Sequence, residues 1–104
     1  MFVAVWKYEV KEGSIEKFED LYGQEGKWVK LFKENAGYLI TEFIKNIYQP
    51  YVYITIDKWE SSYHYQNYLD KNENKILKID AEGEDLTLNE DKIGWFKTVD
   101  EYCR

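Results

Sequence analysis

Three side chains near the middle of the chain have the chemistry of a proton-transfer site: Asp57, His64 and Tyr68. His64 is the only histidine, and an imidazole with a pKa of about 6.5 can accept and release protons at neutral pH. On a helix it would lie about 40° around the axis from Tyr68, on the flank of the apolar face. His64 would then accept a proton from a phenolic substrate, with Tyr68 as its hydrogen-bonding partner. The favoured interpretation is plainer, namely an exposed or half-buried helix histidine with no chemical role.

Asp57 has two interpretations. It lies two residues before Trp59, so both side chains point to the same side if this segment is a strand. Asp57 could be a buried general base whose pKa is raised by apolar neighbours. From the sequence alone more weight falls on a charge at the end of a strand, which faces water or pairs with a lysine across a dimer. Trp59 is expected in the core.

Large rings form a second group of candidates, because aromatic residues make up 18% of the chain. So many rings must bury a large area or stack on another molecule. The candidates for substrate binding are Trp6, Tyr22, Trp28 and Tyr65. Trp28 follows the glycine-containing stretch "YGQEG" and is either part of a flexible lid or an inward-packed ring at a helix kink.

The sequence predicts no cofactor and no metal. One histidine and one cysteine, Cys103, cannot supply the ligands of a zinc site. The stretch "DAEGED" carries carboxylates, but its glycine is misplaced for a calcium loop. The chain has no phosphate-binding glycine motif and no serine nucleophile elbow.

Composition predicts one domain over residues 1–104. The net charge of −6 opposes binding to nucleic acid or to an anionic membrane surface. A single cysteine beside the C-terminus leaves no internal disulfide and favours a reducing compartment. The first residues do not resemble a signal peptide, and no apolar run approaches the length of about 20 residues that a spanning helix needs. These patterns predict a soluble, cytoplasmic protein.

The candidate residues must be positioned by strands and helices whose order the sequence predicts. Strands are expected over 2–10, 38–45, 51–59 and 93–99. The first helical region begins after Ser14 and resumes in "KWVKLFKEN", and the second is capped by Ser61 or Ser62 and runs to Ile79. The stretch "EGEDLTLNED" before the last strand is expected to be a polar connection. The order β-α-β-β-α-β predicts an α+β, ferredoxin-like domain, with both helices on one face of a four-stranded antiparallel sheet.

One face of such a sheet has no helices on it, which predicts a homodimer. In the third strand Val52, Ile54 and Ile56 are expected under the helices. The uncovered side would then carry Tyr51, Tyr53, Thr55, Asp57 and Trp59. The first strand likewise divides into a side with Val3 and Val5 and a side with Phe2, Ala4, Trp6, Tyr8 and Val10. A ring-rich uncovered face is a large apolar patch, and a second copy that packs through the sheet face would cover it.

Three segments resemble the antibiotic biosynthesis monooxygenase (ABM) family of dimeric α/β barrels. They are "FVAVWKYEVKEGSIEKFEDLYG", "WVKLFKENAGYLITEF" and "YVYITIDKWESSYHYQNY", and the resemblance covers about residues 2–99. It implies a sheet-on-sheet dimer with a small-molecule pocket between the sheet and the helices of each subunit. Some members oxygenate polyphenolic substrates without metal or flavin, and others degrade heme.

The heme-degrading members use an asparagine on the first strand, and a tryptophan and then a histidine on the second helix. At these positions this chain has Trp6 or Lys7, Tyr68 and the region near Lys78, and none matches. The resemblance therefore implies a cofactor-independent monooxygenase that acts on a small aromatic or polyphenolic substrate. Two alternatives stay open: a non-catalytic homodimer that binds a small molecule such as heme or another porphyrin or acts in a stress response, and an isomerase on the same fold.

Overall fold

The computed structural model describes residues 1–100, in which eight helices and strands follow one another. They are β1 (Phe2–Val10), α1 (Ile15–Tyr22), α2 (Lys27–Lys33), β2 (Tyr38–Lys45), β3 (Val52–Trp59), α3 (Ser62–Lys71), α4 (Glu73–Glu84) and β4 (Thr87–Lys97). The strands form one sheet in the order β2-β3-β1-β4, and all neighbouring pairs are antiparallel. The predicted ferredoxin-like fold is therefore confirmed, with each predicted helical region divided into two helices.

The divisions within the two helical regions have local causes. Between α1 and α2, a side chain at Gly26 would overlap the carbonyl oxygen of Leu21, so the tight connection requires glycine here. Between α3 and α4, Asn72 is buried, and its amide Nδ2 donates to the carbonyl oxygen of Tyr68 (2.8 Å) and to Asn35 Oδ1 (2.9 Å). A side chain that bonds to the backbone in this way competes with continued helix, which explains why the predicted single helix ends at this residue.

The prediction for the last strand was too short. β4 begins at Thr87, and residue 84 ends α4, so most of the expected polar connection belongs to regular structure. β4 pairs with β1 from Thr87 opposite Val10 to Lys97 opposite Phe2. Because β4 is an edge strand, its polar side chains reach water without disturbing these backbone hydrogen bonds. The charged residues at positions 90 and 91 therefore led to the prediction of a connection where β4 in fact begins.

The prediction of which sheet side meets the helices was wrong. Tyr53, Thr55, Asp57 and Trp59 are at most 7% exposed and lie under the helices, whereas Val52, Ile54 and Ile56 lie on the uncovered face. β1 follows the same division, since Ala4, Tyr8 and Val10 are buried. The period of two separates the sides of a strand but does not say which side the helices cover. The helices carry rings of their own, and these rings meet the ring-bearing side of the sheet.

Trp59 lies at the centre of the core, as predicted. It is fully buried, and its ring centroid lies 5.0 to 5.7 Å from the centroids of four other rings. These rings belong to Phe32, Tyr38, Tyr65 and Tyr68. They come from α2, β2 and α3, so one side chain joins both helical regions to the sheet. Edge-to-face pairs of this kind each add about 0.5–1.5 kcal/mol beyond the burial of apolar area.

Two expectations about location have different outcomes. No helix within residues 1–100 is long and apolar enough to span a membrane. Cys103, on which the expectation of a reducing compartment rests, lies outside the described residues. The cytoplasmic location stays a prediction.

Gly37 is a position where the fold requires glycine. Its φ angle is +90°, and an added Cβ would overlap the imidazole of His64. We expect Gly37→Ala to lower the free energy of unfolding by about 2–4 kcal/mol, because backbone strain and overpacking add. Gly13→Ala is the matched control, since its φ is +87° with nothing within 4 Å of the added Cβ. Urea unfolding measures both, and equal losses would contradict the packing of His64 on Gly37.

Candidate functional site

A cavity of about 410 Å³ lies between the sheet and the helices. All eight helices and strands contribute to its wall. Its aromatic lining consists of Trp6, Tyr8, Tyr22, Trp28, Phe32, Tyr65, Tyr68 and Trp95. Its aliphatic lining consists of Val29, Leu69 and Ile76, and its polar lining of Thr41, Thr55, Asp57, Asp80, Glu84 and Glu90. A concave, mostly apolar site with a few polar groups is typical of small-molecule binding.

Asp57 lies on the sheet side of the cavity. It is 7% exposed, and Thr41 on the neighbouring strand donates a hydrogen bond to Asp57 Oδ1 (2.7 Å). The hydroxyl of Tyr38 donates in turn to Thr41 Oγ1 (2.8 Å), which orients the threonine. Burial raises the pKa of Asp57 from 3.8 to about 6, although the hydrogen bond from Thr41 lowers it. The alternative in which Asp57 faces water is therefore wrong, and the geometry matches that of a buried base.

Tyr68 also lines the cavity, from α3. Its ring is 2% exposed and packs on Trp59 at a centroid distance of 5.0 Å and on Phe32 at 5.3 Å. The pKa of the hydroxyl is well above its usual value. Burial is the largest cause, and Tyr65, Asp57 and Asp80 raise the pKa further. Tyr68 thus stays protonated at neutral pH and can donate a hydrogen bond to a ligand.

His64 is not brought together with Asp57 and Tyr68. It is absent from the cavity lining, and its Nδ1 lies 2.8 Å from Ser61 Oγ. Its Nε2 lies 3.7 Å from a carboxylate oxygen of Glu60. Ser61 caps α3, as predicted, by accepting a hydrogen bond from the backbone N–H of His64 (3.2 Å). This position matches the interpretation of a half-buried helix histidine, and no contact supports the partnership with Tyr68.

The four residues expected to bind substrate, Trp6, Tyr22, Trp28 and Tyr65, all line the cavity. Trp28 lies in the first turn of α2 and packs inward, with its ring centroid 6.1 Å from that of Phe32 and 6.3 Å from that of Tyr22. Its position is therefore that of the inward-packed ring, whereas the proposed lid movement is untested. Whether any of these residues binds substrate stays a prediction.

Sequence reasoning missed several polar residues of the cavity. Asp80 and Glu84 follow Ile76 at intervals of four residues, so the helical period alone places all three on one side of α4. Glu90 was hidden because its segment was expected to be a connection instead of the start of β4. Thr41 was overlooked, although it pairs directly with Asp57 in the sheet.

Two acidic residues of the cavity lining, Asp80 on α4 and Glu90 on β4, have raised pKa values. Burial raises the pKa of Asp80, and the nearby Glu84 raises it further. Burial is also the largest cause of the raised pKa of Glu90, and the nearby Asp80 and Glu84 raise it further. Within residues 1–100, no group of three or more His, Cys, Asp or Glu residues is arranged to hold a metal ion.

Comparison with known proteins identifies the fold. No protein-family model and no curated protein sequence matches the chain. A variant of SnoaB, a cofactor-independent oxygenase from Streptomyces nogalater, superposes with a TM-score of 0.80 at 14% identity, over 99% of this chain and 97% of that one. The monooxygenase ActVA-Orf6 of Streptomyces coelicolor, in complex with nanaomycin D, gives a TM-score of 0.74 at 16% identity, over 99% and 91%.

A third structure is described as an antibiotic biosynthesis monooxygenase from Deinococcus radiodurans. Its TM-score is 0.76 at 10% identity, over 98% of this chain and 96% of that one. The chain has the antibiotic biosynthesis monooxygenase fold. The fold that the resemblance implied is thereby confirmed, and at these identities the comparison establishes the fold alone.

The raised pKa of Asp57 predicts how stability depends on pH. Between pH 3.8 and about 6 the folded state holds a proton that the unfolded chain has released, so stability falls as pH rises through this range. Asp57→Asn removes the charge and keeps an oxygen that can accept from Thr41. We expect it to raise the free energy of unfolding at pH 8 by up to about 3 kcal/mol, and to change it little near pH 4.

Urea unfolding at the two pH values measures this difference. Asp20→Asn is the matched control, because it makes the same substitution on the exposed side of α1 and should change stability less at pH 8. If Asp57→Asn destabilised the protein at pH 8, the buried carboxylate would be a stabilising group, contrary to the prediction.

Proposed function

We propose that the protein is a monooxygenase that acts on a small aromatic or polyphenolic substrate, without metal or flavin. The observation that carries the proposal is a buried carboxylate, Asp57, in the wall of a ring-lined cavity. Structures described as a cofactor-independent oxygenase and as a monooxygenase bound to nanaomycin D share the fold. These likenesses support the class of reaction, and the cavity supports the size and flatness of the substrate.

In this proposal Asp57 is the general base. Its pKa of about 6 leaves it mostly ionised at pH 7 yet basic enough to take a proton from an activated phenol or an adjacent C–H. Thr41 donates only to Oδ1, so Oδ2 is the oxygen that receives the proton. The hydroxyls of Tyr65 and Tyr68 donate to a substrate oxygen and hold the ring against the base. No hydrogen bond within residues 1–100 engages either hydroxyl, so both are available for this contact.

The oxygenation step balances without a further reductant. Proton loss to Asp57 leaves a substrate carbanion, which passes one electron to dioxygen, and the resulting radical and superoxide combine to form a C–O bond. Protonation gives a hydroperoxide at that carbon. Loss of water from it leaves a carbonyl, so one substrate CH₂ and one O₂ become C=O and H₂O. The rings of the cavity exclude bulk water and orient the flat substrate.

Oxygen uptake tests this proposal. With a panel of dihydroxyaromatic compounds and metal chelated, we expect turnover that Asp57→Asn lowers by about 10²- to 10⁴-fold in kcat, because the base is lost. His64→Ala is the control and should retain turnover, since His64 does not line the cavity. Full turnover by Asp57→Asn would contradict the role of Asp57. Binding without oxygen uptake would favour the non-catalytic alternative, and conversion without oxygen uptake would favour an isomerase.

We also propose that the protein is a homodimer through the uncovered sheet face. This face has fewer rings than expected, and its apolar residues are Val3, Val5, Ile40, Ile44, Val52, Ile54, Ile56 and Phe96. The charged residues Lys7, Glu9, Glu42 and Lys58 lie on the same face, where Lys58 pairs with Glu42. Ile40, Ile44 and Phe96 are 47–51% exposed, so the patch is not covered within one chain. Apolar side chains on one sheet face can pack against a second such face, and two-fold symmetry would bury the patch.

Light scattering at micromolar concentration is expected to give about twice the chain mass of 12.6 kDa. Ile44→Asp places a charge on the uncovered face and should weaken the dimer by at least about tenfold. Ile47→Asp is the control, because Ile47 is 85% exposed and lies in the β2–β3 connection. A monomer in the unaltered protein would rule out the dimer, and equal effects of the two substitutions would rule out this face.

A further inference from the structure

The charged lining of the cavity has one sign. Its four ionisable acids are Asp57, Asp80, Glu84 and Glu90, and no lysine, arginine or histidine is among the lining residues within 1–100. The ion pairs of this part of the chain involve other carboxylates, those of Glu34, Glu42, Glu60 and Glu82. The four acids of the cavity therefore have no cationic partner among the described residues.

These acids line one cavity that is partly open to solvent, and they come from three elements of the fold. Asp57 comes from β3, Asp80 and Glu84 from successive turns of α4, and Glu90 from β4. Their effects converge on the tyrosines of the wall. Burial is the largest cause of the raised pKa of the Tyr65 hydroxyl, and Asp57 and Asp80 raise it further. Burial is likewise the largest cause for the Tyr22 hydroxyl, and Glu90 and Asp80 raise its pKa further. Asp57 is buried and Asp80 is half-buried, whereas Glu84 and Glu90 are exposed residues of the same cavity lining.

The rings of the same wall also favour a positive charge. The faces of Trp and Tyr rings attract an ammonium group, and most strongly where water is excluded. One lining ring already shows this preference, since Lys92 Nζ lies 3.5 Å from the ring centroid of Trp95. Lys92 itself does not line the cavity. Trp6, Tyr22 and Trp28 have no such contact among the described residues and remain available for a ligand.

Desolvation disfavours the ionised form of these acids, and a bound cation would stabilise that form. Burial disfavours ionised Asp57, Asp80 and Glu90, and a positive ligand would restore the balance. An anionic ligand would meet the same acids at additional cost. The negative charge of these acids also destabilises the substrate anion that forms when Asp57 takes a proton. A positive group on the substrate would reduce this destabilisation.

We propose that the cavity selects an aromatic substrate that carries a protonated amine. Its ring lies against the aromatic wall, and its ammonium group faces Asp80, Glu84 and Glu90. This proposal rests on the proposed function, and it names the substrate class of the same site. Neutral polyphenols bind more weakly, and aromatic carboxylates bind more weakly still.

Three naphthalene probes of equal shape and different charge test this selection: 2-naphthylmethylamine, 2-naphthylmethanol and 2-naphthoate. By calorimetric titration at about 50 mM salt, we expect the amine to bind at least about tenfold more tightly than the alcohol, and the carboxylate more weakly than the alcohol. Asp80→Asn and Glu90→Gln should each lower the amine-to-alcohol preference by about threefold. The triple variant with Glu84→Gln as well should abolish it. Unchanged binding of the alcohol shows that these variants fold.

Glu82→Gln is the matched control. It lies on α4, makes the same change of charge and lies outside the cavity lining, where its carboxylate pairs with Lys27 at 2.7 Å. The preference for the amine should survive this substitution. Equal binding of amine and alcohol would overturn the charge selection while leaving the aromatic cavity as a binding site. Failure of all three probes to bind would overturn this inference, whereas the proposed function is tested separately by oxygen uptake with dihydroxyaromatic compounds.

Discussion

Alternate residues of β3, from Tyr53 to Trp59, lie under the helices, and the position of the cavity depends on this arrangement. β1 supplies Trp6 and Tyr8 to the same side, and the helices bring Tyr22, Phe32 and Tyr68 against them. Large rings from both layers hold the helices away from the sheet, and the volume that they do not fill is the cavity. Trp59 joins the layers within the core, where it contacts rings from α2, β2 and α3.

The same alternation carries Asp57 inward. A strand with period two cannot bury Thr55 and Trp59 under the helices and leave Asp57 in water, so the carboxylate shares the burial of its neighbours. The cost of burying the carboxylate is reduced by the hydrogen bond that Thr41 donates to it. Thr41 is 3% exposed, and the hydroxyl of Tyr38 donates to its Oγ1. The burial of Asp57 thus follows from strand geometry, and the hydrogen bond from the neighbouring strand lowers the free-energy cost of burying the carboxylate.

The sequence predicted the order of elements and most of their limits, because hydrophobic period and capping residues are local signals. Ser61 caps α3 as expected, and β2 spans the predicted residues. The side of β3 that meets the helices was predicted wrongly, because that choice depends on rings contributed by distant helices. His64 was placed on the correct helix, but the direction of its side chain depends on Ser61 and on the space above Gly37. Neither of these can be inferred from helical period.

The acidic stretch "EGEDLTLNED" shows how one composition serves two purposes. Glu82 points away from the cavity and pairs with Lys27, whereas Glu84, two residues later on the same helix, lines the cavity. Glu90 reaches the cavity from the next strand, because β4 begins within the stretch and pairs with β1. The helical period and then the strand period therefore sort these acids between solvent and cavity. The negative charge of this stretch is therefore divided between an ion pair outside the cavity and the cavity lining itself.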